Sequence, residues 1–161
     1  MPHIARILVP VDFTPQSQSA VESAAELASR LGAAVDVLHV WRPAQILSGF
    51  AVTPDTADSM SVQDLELQTK SYLETLEAAG IRTCGRLERG NPGPTIVEVA
   101  EREAYDLVVM GTHARTGLSR VVLGSVAEYV VRHAPCPVLT TRAPREPVSK
   151  VPVAVVPSPA P

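Results

Sequence analysis

The sequence predicts an α/β protein of three layers, a doubly wound parallel sheet of five strands between two layers of helices. Short apolar runs rich in Val, Ile and Leu alternate along the chain with stretches of helical period, which is the signature of strand–helix–strand units. At 161 residues the chain is long enough for one core. With 45% hydrophobic but only 4% aromatic residues, that core must be built from Val, Leu, Ile and Ala, as in parallel sheets buried on both faces. Right-handed crossovers then distribute the helices over both sides.

The first strand is the apolar run Ile4 to Val11, interrupted by Ala5 and Arg6. Thr14-Pro15 supplies a helix N-cap and a proline at the first helical position. Ala20, Val21, Ala24, Leu27, Ala28 and Leu31 then recur at helical spacing until Gly32, a helix-ending glycine. A second strand spans Ala34 to Val40. From Trp41 to about Ser59 the chain holds Pro43, Gly49 and Pro54 without sustained period, and a long loop is expected.

A helix from Ser61 to Ala79 carries Leu65, Thr69, Tyr72, Leu73 and Leu76 on one face and stops at Gly80. The third strand is Arg82 to Glu88, and the turn Arg89-Gly90-Asn91-Pro92-Gly93-Pro94 launches a helix with Ile96, Val97, Val99 and Ala100 inside. Tyr105 to Gly111 is the fourth strand and Pro137 to Arg142 the fifth, with the last helix between them. Residues 1–143 form one domain. Residues 144–161 form a tail so dense in proline that it is expected to be extended and mostly disordered. The apolar stretch Val151 to Val156 within it is the one part suited to docking on a sheet edge.

Function points to the segment Gly111 to Ser125, Gly-Thr-His-Ala-Arg-Thr-Gly-Leu-Ser-Arg-Val-Val-Leu-Gly-Ser. It follows a buried strand, is punctuated by glycine, contains no Asp or Glu, and carries Arg115 and Arg120. Ser125 and Glu128 stand at the spacing of a capping box, so a helix N-terminus with unbonded N–H groups and a positive dipole end is expected at Gly124 and Ser125. Such loops present backbone N–H groups to phosphate. They also occur as plain connections with solvated arginines, and the loop alone leaves the two readings level.

Composition excludes other classes. A net charge of −3 without a Lys/Arg cluster disfavours nucleic acid and anionic membrane as partners. No apolar run approaches the roughly 18 residues of a membrane span, and a cytoplasmic location is expected. Cys84 and Cys136 have no partner at metal or redox spacing and are expected to be buried free thiols. His39, within the second strand, reads as a structural side chain. His113 lies in the loop, either near a phosphate or simply exposed. His133, in the last helical turn, reads as a favourable charge at the negative end of the helix dipole. No two histidines stand at i, i+4, so no protein-held metal is expected.

Six segments together carry a resemblance: Ile7-Leu-Val-Pro-Val-Asp-Phe13, Val37-Leu-His-Val40, Gly90-Asn-Pro92, Tyr105-Asp-Leu-Val-Val-Met-Gly-Thr112, Leu123-Gly-Ser-Val-Ala-Glu128 and Cys136-Pro-Val-Leu139. In order and spacing the chain from about His3 to Arg142 resembles the universal stress protein family. The resemblance implies strand order 3-2-1-4-5, an adenine-nucleotide cleft at the strand C-termini, and a dimer. Carried over by motif position, it implies adenine and ribose near Pro10, Val11, Asp12, Val40 and Met110, and phosphates at Gly111, Ala114, Gly124, Ser125 and Val126. ATP is the implied ligand, with AMP or ADP as variants, and Mg2+ or Mn2+ would be held through the phosphates.

Asp12 has two roles open to it, accepting from the nucleoside or stabilising the nearby helix N-terminus by charge. Ser125 is a phosphate donor or an N-cap. Where nucleotide-binding members of the family have a second loop glycine, this chain has Ala114. An alternative reading is therefore a nucleotide-free dimeric interaction module of the same fold. The loop lacks the lysine of a phosphate-cradling motif, Lys70 and Lys150 both being far away in sequence, and no second carboxylate stands beside Asp12. A binding or sensing protein, with at most slow ATP hydrolysis, is expected rather than a dedicated enzyme. The expected dimer contact is the fifth strand, Val138 to Arg142, a sheet edge without lysine or proline.

Overall fold

A computed structural model describes residues 3–42, 45–47, 50–52, 61–112 and 123–142. The elements in chain order are β1 (Arg6–Pro10), α1 (Pro15–Leu31), β2 (Ala34–Trp41), β3 (Gln45–Leu47), β4 (Phe50–Val52), α2 (Val62–Ala78), β5 (Thr83–Arg89), α3 (Pro92–Arg102), β6 (Leu107–Gly111), α4 (Ser125–His133) and β7 (Val138–Thr141). Five strands form one sheet in the order β5-β2-β1-β6-β7, every neighbouring pair parallel. Counting only these strands, the order is 3-2-1-4-5, as the resemblance implies.

Side-chain alternation along the strands splits the core in two. On one face Ile7, Val9, Val35, Val37 and Val109 pack under Ala20, Val21, Ala24 and Ala28 of α1 and Leu76 of α2. On the other Leu8, Leu38, Val108 and Met110 pack under Ile96, Val99 and Ala100 of α3 and Ala127 and Val130 of α4. Small alanines let α1 lie close to the sheet, and β-branched strand residues fill the space between.

The helix boundaries follow local chemistry. Thr14 caps α1 by accepting from the Ser17 N–H, with Pro15 just inside, and Gly32 closes the helix at φ 70. Ser61 and Asp64 form a reciprocal capping box at the start of α2. Where the central strands β1 and β6 begin, one carboxylate bonds the neighbouring backbone. Both the Ala5 and Arg6 N–H groups donate to Asp106 Oδ2 at 2.9 Å. Those two bonds hold the Asp106 carboxyl below the usual carboxylate range.

A polar cluster closes the sheet at the amino ends of its strands. The Tyr105 hydroxyl donates to Asp36 at 2.6 Å, and the Arg6 guanidinium pairs with the same carboxylate at 3.2 Å while lying 4.4 Å over the Tyr105 ring. Burial first, and the Asp36 carboxylate second, push the Tyr105 hydroxyl far above its ordinary value, so it stays a donor.

The two sheet edges differ. The outer strand β5 carries Arg86 and Glu88, paired at 3.3 Å with Glu103 and at 2.9 Å with Arg102, both from the end of α3. Its other face lies under α2, so close at Gly85 that a Cβ would sit 2.9 Å from Leu73. At the opposite edge β7 has the sequence Val-Leu-Thr-Thr, free of charge, with Leu139 39% exposed.

Two expectations need correction. The expected loop from Trp41 to Ser59 contains an antiparallel ribbon, with Gln45 opposite Val52 and Leu47 opposite Phe50. The two strands are only three residues each, Gln-Ile-Leu and Phe-Ala-Val. Cys84 is exposed rather than buried, because it lies on the outermost strand, on the face shared with Arg86 and Glu88. Cys136 is half-buried, and burial raises its thiol. Among the described residues no helix is long and apolar enough to cross a membrane. The tail from residue 144 lies outside the described residues.

Candidate functional site

From β1 the chain runs by α1 to β2 on one side, while β6 lies against β1 on the other. The connection after β1 leads to the helix layer of α1, and the connection after β6 leads to that of α4. The carboxyl ends of these neighbouring strands are therefore the topological switch point of the sheet, the place where open α/β sheets take ligands.

Most of the candidate residues line that switch point. Pro10 ends β1, and Val11, 5% exposed, extends its pairing by donating its N–H to the Leu38 carbonyl at 2.8 Å. Asp12 is exposed at the turn into α1. Val40 lies near the end of β2, and Met110 and Gly111 end β6. Val40, Met110 and Val126 all pack on one apolar cluster, which draws the ends of β2 and β6 together with the start of α4. Gly124 and Ser125 sit at that start. Ala114, His113, Arg115 and Arg120 lie outside the described residues.

The helix start differs from the expected capping box. The N-cap is Gly124, at φ 80 and ψ 146, and no side chain caps the helix. Ser125 is the first helical residue, so its hydroxyl has lost the capping position. Glu128 pairs instead with Arg132 at 2.9 Å, one turn along. The first hydrogen bond of the helix runs from the Glu128 N–H to the Gly124 carbonyl at 2.9 Å. The N–H groups of Ser125, Val126 and Ala127 therefore have no carbonyl within the helix to bond, and they stand at its positive end.

Gly111 is glycine for a reason of packing. A Cβ there would meet the Gln16 carbonyl oxygen at 2.5 Å, because the first turn of α1 rests directly on the end of β6. Thr112 then anchors the exit of the strand, its N–H donating to the Thr141 carbonyl of β7 at 3.0 Å.

Of the two roles considered for Asp12, its hydrogen bonds bear on the support of α1. Its Oδ1 accepts from the Thr14 N–H at 3.2 Å and from the Thr14 hydroxyl, so it supports the residue that caps α1. It does so while standing exposed just past the carboxyl end of β1. One feature escapes a reading of sequence. Phe13 has φ 61, a left-handed conformation rare for a bulky residue, and no residue pattern announces it. His39, read as structural, is buried, and its Nδ1 lies 2.8 Å from the Val11 carbonyl oxygen. His133 ends α4 as expected, 2.8 Å from the Tyr129 carbonyl and stacked on the Tyr129 ring.

Comparisons with known proteins agree on one family. The family model described as the universal stress protein family matches residues 3–142. A universal stress protein of Methanocaldococcus jannaschii is 32% identical over 146 residues, which is 88% of this chain and 84% of the relative. Among solved structures, the universal stress protein UspA from Lactobacillus plantarum superposes with a TM-score of 0.71 at 26% identity, covering 88% of this chain and 100% of that one. A universal stress protein in complex with cAMP gives a TM-score of 0.69 at 24% identity, covering 89% of this chain and 100% of the other. The universal stress protein from Archaeoglobus fulgidus in complex with dAMP gives 0.63 at 23% identity, covering 86% and 98%.

Proposed function

This chain belongs to the universal stress protein family, and we propose that it binds ATP, or a shorter adenine nucleotide, as a sensing ligand at the switch point between β1 and β6. The observation that carries the reading is the start of α4. A glycine at φ 80 leads into three N–H groups without helical partners, at the carboxyl end of the sheet and at its switch point. That is a site for the phosphates, with Gly111, Ala114, Gly124, Ser125 and Val126 around them. Adenine and ribose would lie over Pro10, Val11, Val40 and Met110, with Asp12 accepting from a nucleoside N–H or hydroxyl. The nucleotide's own phosphates would carry any Mg2+ or Mn2+. The dAMP and cAMP complexes of relatives of this fold support an adenine nucleotide as the class of ligand.

Mass spectrometry of the supernatant after heat denaturation should find co-purified ATP, ADP or AMP, and calorimetry on the stripped protein should show ATP binding. A chain free of nucleotide that takes up no ATP at millimolar concentration would be the interaction module instead. Ala114→Gly refines the test. If the alanine methyl holds the phosphates off the backbone, its removal tightens ATP by up to about tenfold, or roughly 1.4 kcal/mol. An unchanged or weaker affinity would mean that position 114 does not limit binding.

The β7 edge supports a second part of the proposal, a homodimer. Among the described residues no strand pairs with its outer side, and that edge with its exposed Leu139 suits a symmetric, self-complementary contact. Light scattering on the full chain and on a truncation ending at Arg142 should give a dimer in at least the truncated form. Monomers in both would remove β7 as an interface, whereas a dimer only after truncation would identify the tail as its competitor.

A further inference from the structure

His39 is 6% exposed on β2, directly beneath the turn that carries Asp12. Its Nδ1 is 2.8 Å from the Val11 carbonyl oxygen, a contact that requires the proton on Nδ1. Its ring centroid lies 4.5 Å from that of Phe13. One imidazole therefore grips the residue on each side of Asp12.

Neither of those residues has freedom left. The Val11 N–H is committed to the Leu38 carbonyl and its carbonyl to His39. Phe13 is held at φ 61 with its ring between His39 and Tyr72, the latter stacked at 6.1 Å. A bulky side chain keeps that backbone only where its surroundings over-determine it. The strain is thus maintained from β2 and α2, and its effect is to fix the direction in which the turn presents Asp12. The Asp12–Thr14 hydrogen bonds complete the arrangement.

We propose that His39 is a positioning residue for nucleoside selectivity: by clamping Val11 and Phe13 it aims the Asp12 carboxylate at the nucleoside half of the ligand. This rests on the nucleotide reading above. The phosphate half of the site, built on β6 and α4, does not pass through the clamp, so the two halves should respond differently to its removal.

The test compares wild type, His39→Leu and His39→Asn against ATP and against inorganic tripolyphosphate, with amide hydrogen exchange measured on the ligand-free proteins. His39→Leu should weaken ATP about tenfold and leave tripolyphosphate unchanged. His39→Asn, whose amide nitrogen takes the place of Nδ1, should recover most of the loss. In an Asp12→Asn background, His39→Leu should cost nothing further. Without ligand, the Thr14 amide should exchange about tenfold faster in His39→Leu, with Ala24 in the middle of α1 unaffected.

ATP affinity and Thr14 exchange both unchanged in His39→Leu would overturn the proposal. So would equal losses for ATP and tripolyphosphate without rescue by asparagine, which would mark a general loosening of the fold. A wild type that binds neither probe overturns the nucleotide reading and the selectivity built on it, and the Thr14 exchange then still reports whether His39 holds the turn. A wild type that binds ATP, with variants that fail these expectations, overturns the clamp alone.

Discussion

Gly111→Ala is expected to lower stability by about 1–3 kcal/mol, the usual cost of forcing extra volume into a packed contact. The added methyl would lie 2.5 Å from the Gln16 carbonyl oxygen and 2.6 Å from its carbon. Both are backbone atoms, so no side-chain rotation relieves the clash. Nor is α1 free to retreat, since Ala20 and Ala24 are fully buried against the sheet and Thr14 fixes its first turn. Urea unfolding followed by circular dichroism should show the midpoint fall, and the melting temperature should drop by about 2–4 °C for each kcal/mol in a chain of this size. A variant with the wild-type midpoint would mean that the α1–β6 contact yields easily. The first glycine of the loop motif would then have to be explained by the ligand alone.

Gly124→Val should have the largest effect on binding, weakening ATP at least a hundredfold, or about 2.7 kcal/mol. Two causes act together. At φ 80 and ψ 146 the backbone occupies a region essentially reserved for glycine, so any side chain carries strain of about 1–3 kcal/mol and a β-branched one resists most. Relief of that strain would turn the Ser125 and Val126 N–H groups away from the phosphates. Because the change falls at the end of a nine-residue helix, the rest of the sheet should persist. Circular dichroism and a urea transition on the same sample establish that before affinity is compared. Ser125→Ala keeps the backbone and should lose no more than about tenfold. A folded Gly124→Val protein with unchanged affinity would remove this helix start from the site.

Much of the architecture is legible in the residues because local signals agree with one another. Thr14-Pro15 and Gly32 bracket α1, Ser61 and Gly80 bracket α2, and the apolar runs between them can only be strands buried on both faces. Legibility fails where two local signals compete. Ser125 and Glu128 satisfy the spacing of a capping box, yet the glycine before them takes the cap, since the direction from which the chain enters a helix is set by tertiary structure and not by spacing. The ribbon at 45–52 is hidden for a different reason. Its strands are three residues each, too short for any period to show. Phe13 marks the limit, because the rings packed against it, His39 and Tyr72, come from other elements.

The unequal edges of the sheet bear on how large an assembly this chain can form. A sheet with two bare edges can add copies at both ends and grow without limit, as fibres do. Here the β5 side carries Arg86, Glu88 and Arg89 within the strand and is tied to α3 by ion pairs, so an incoming strand would have to bury those charges. Only the β7 side offers pairing without that penalty. Two copies joined there would turn their β5 strands outward, and the joined sheet would end in charge at both extremities. In such a pair growth would stop after one step, and the strand that would bar a filament is one that takes no part in the contact.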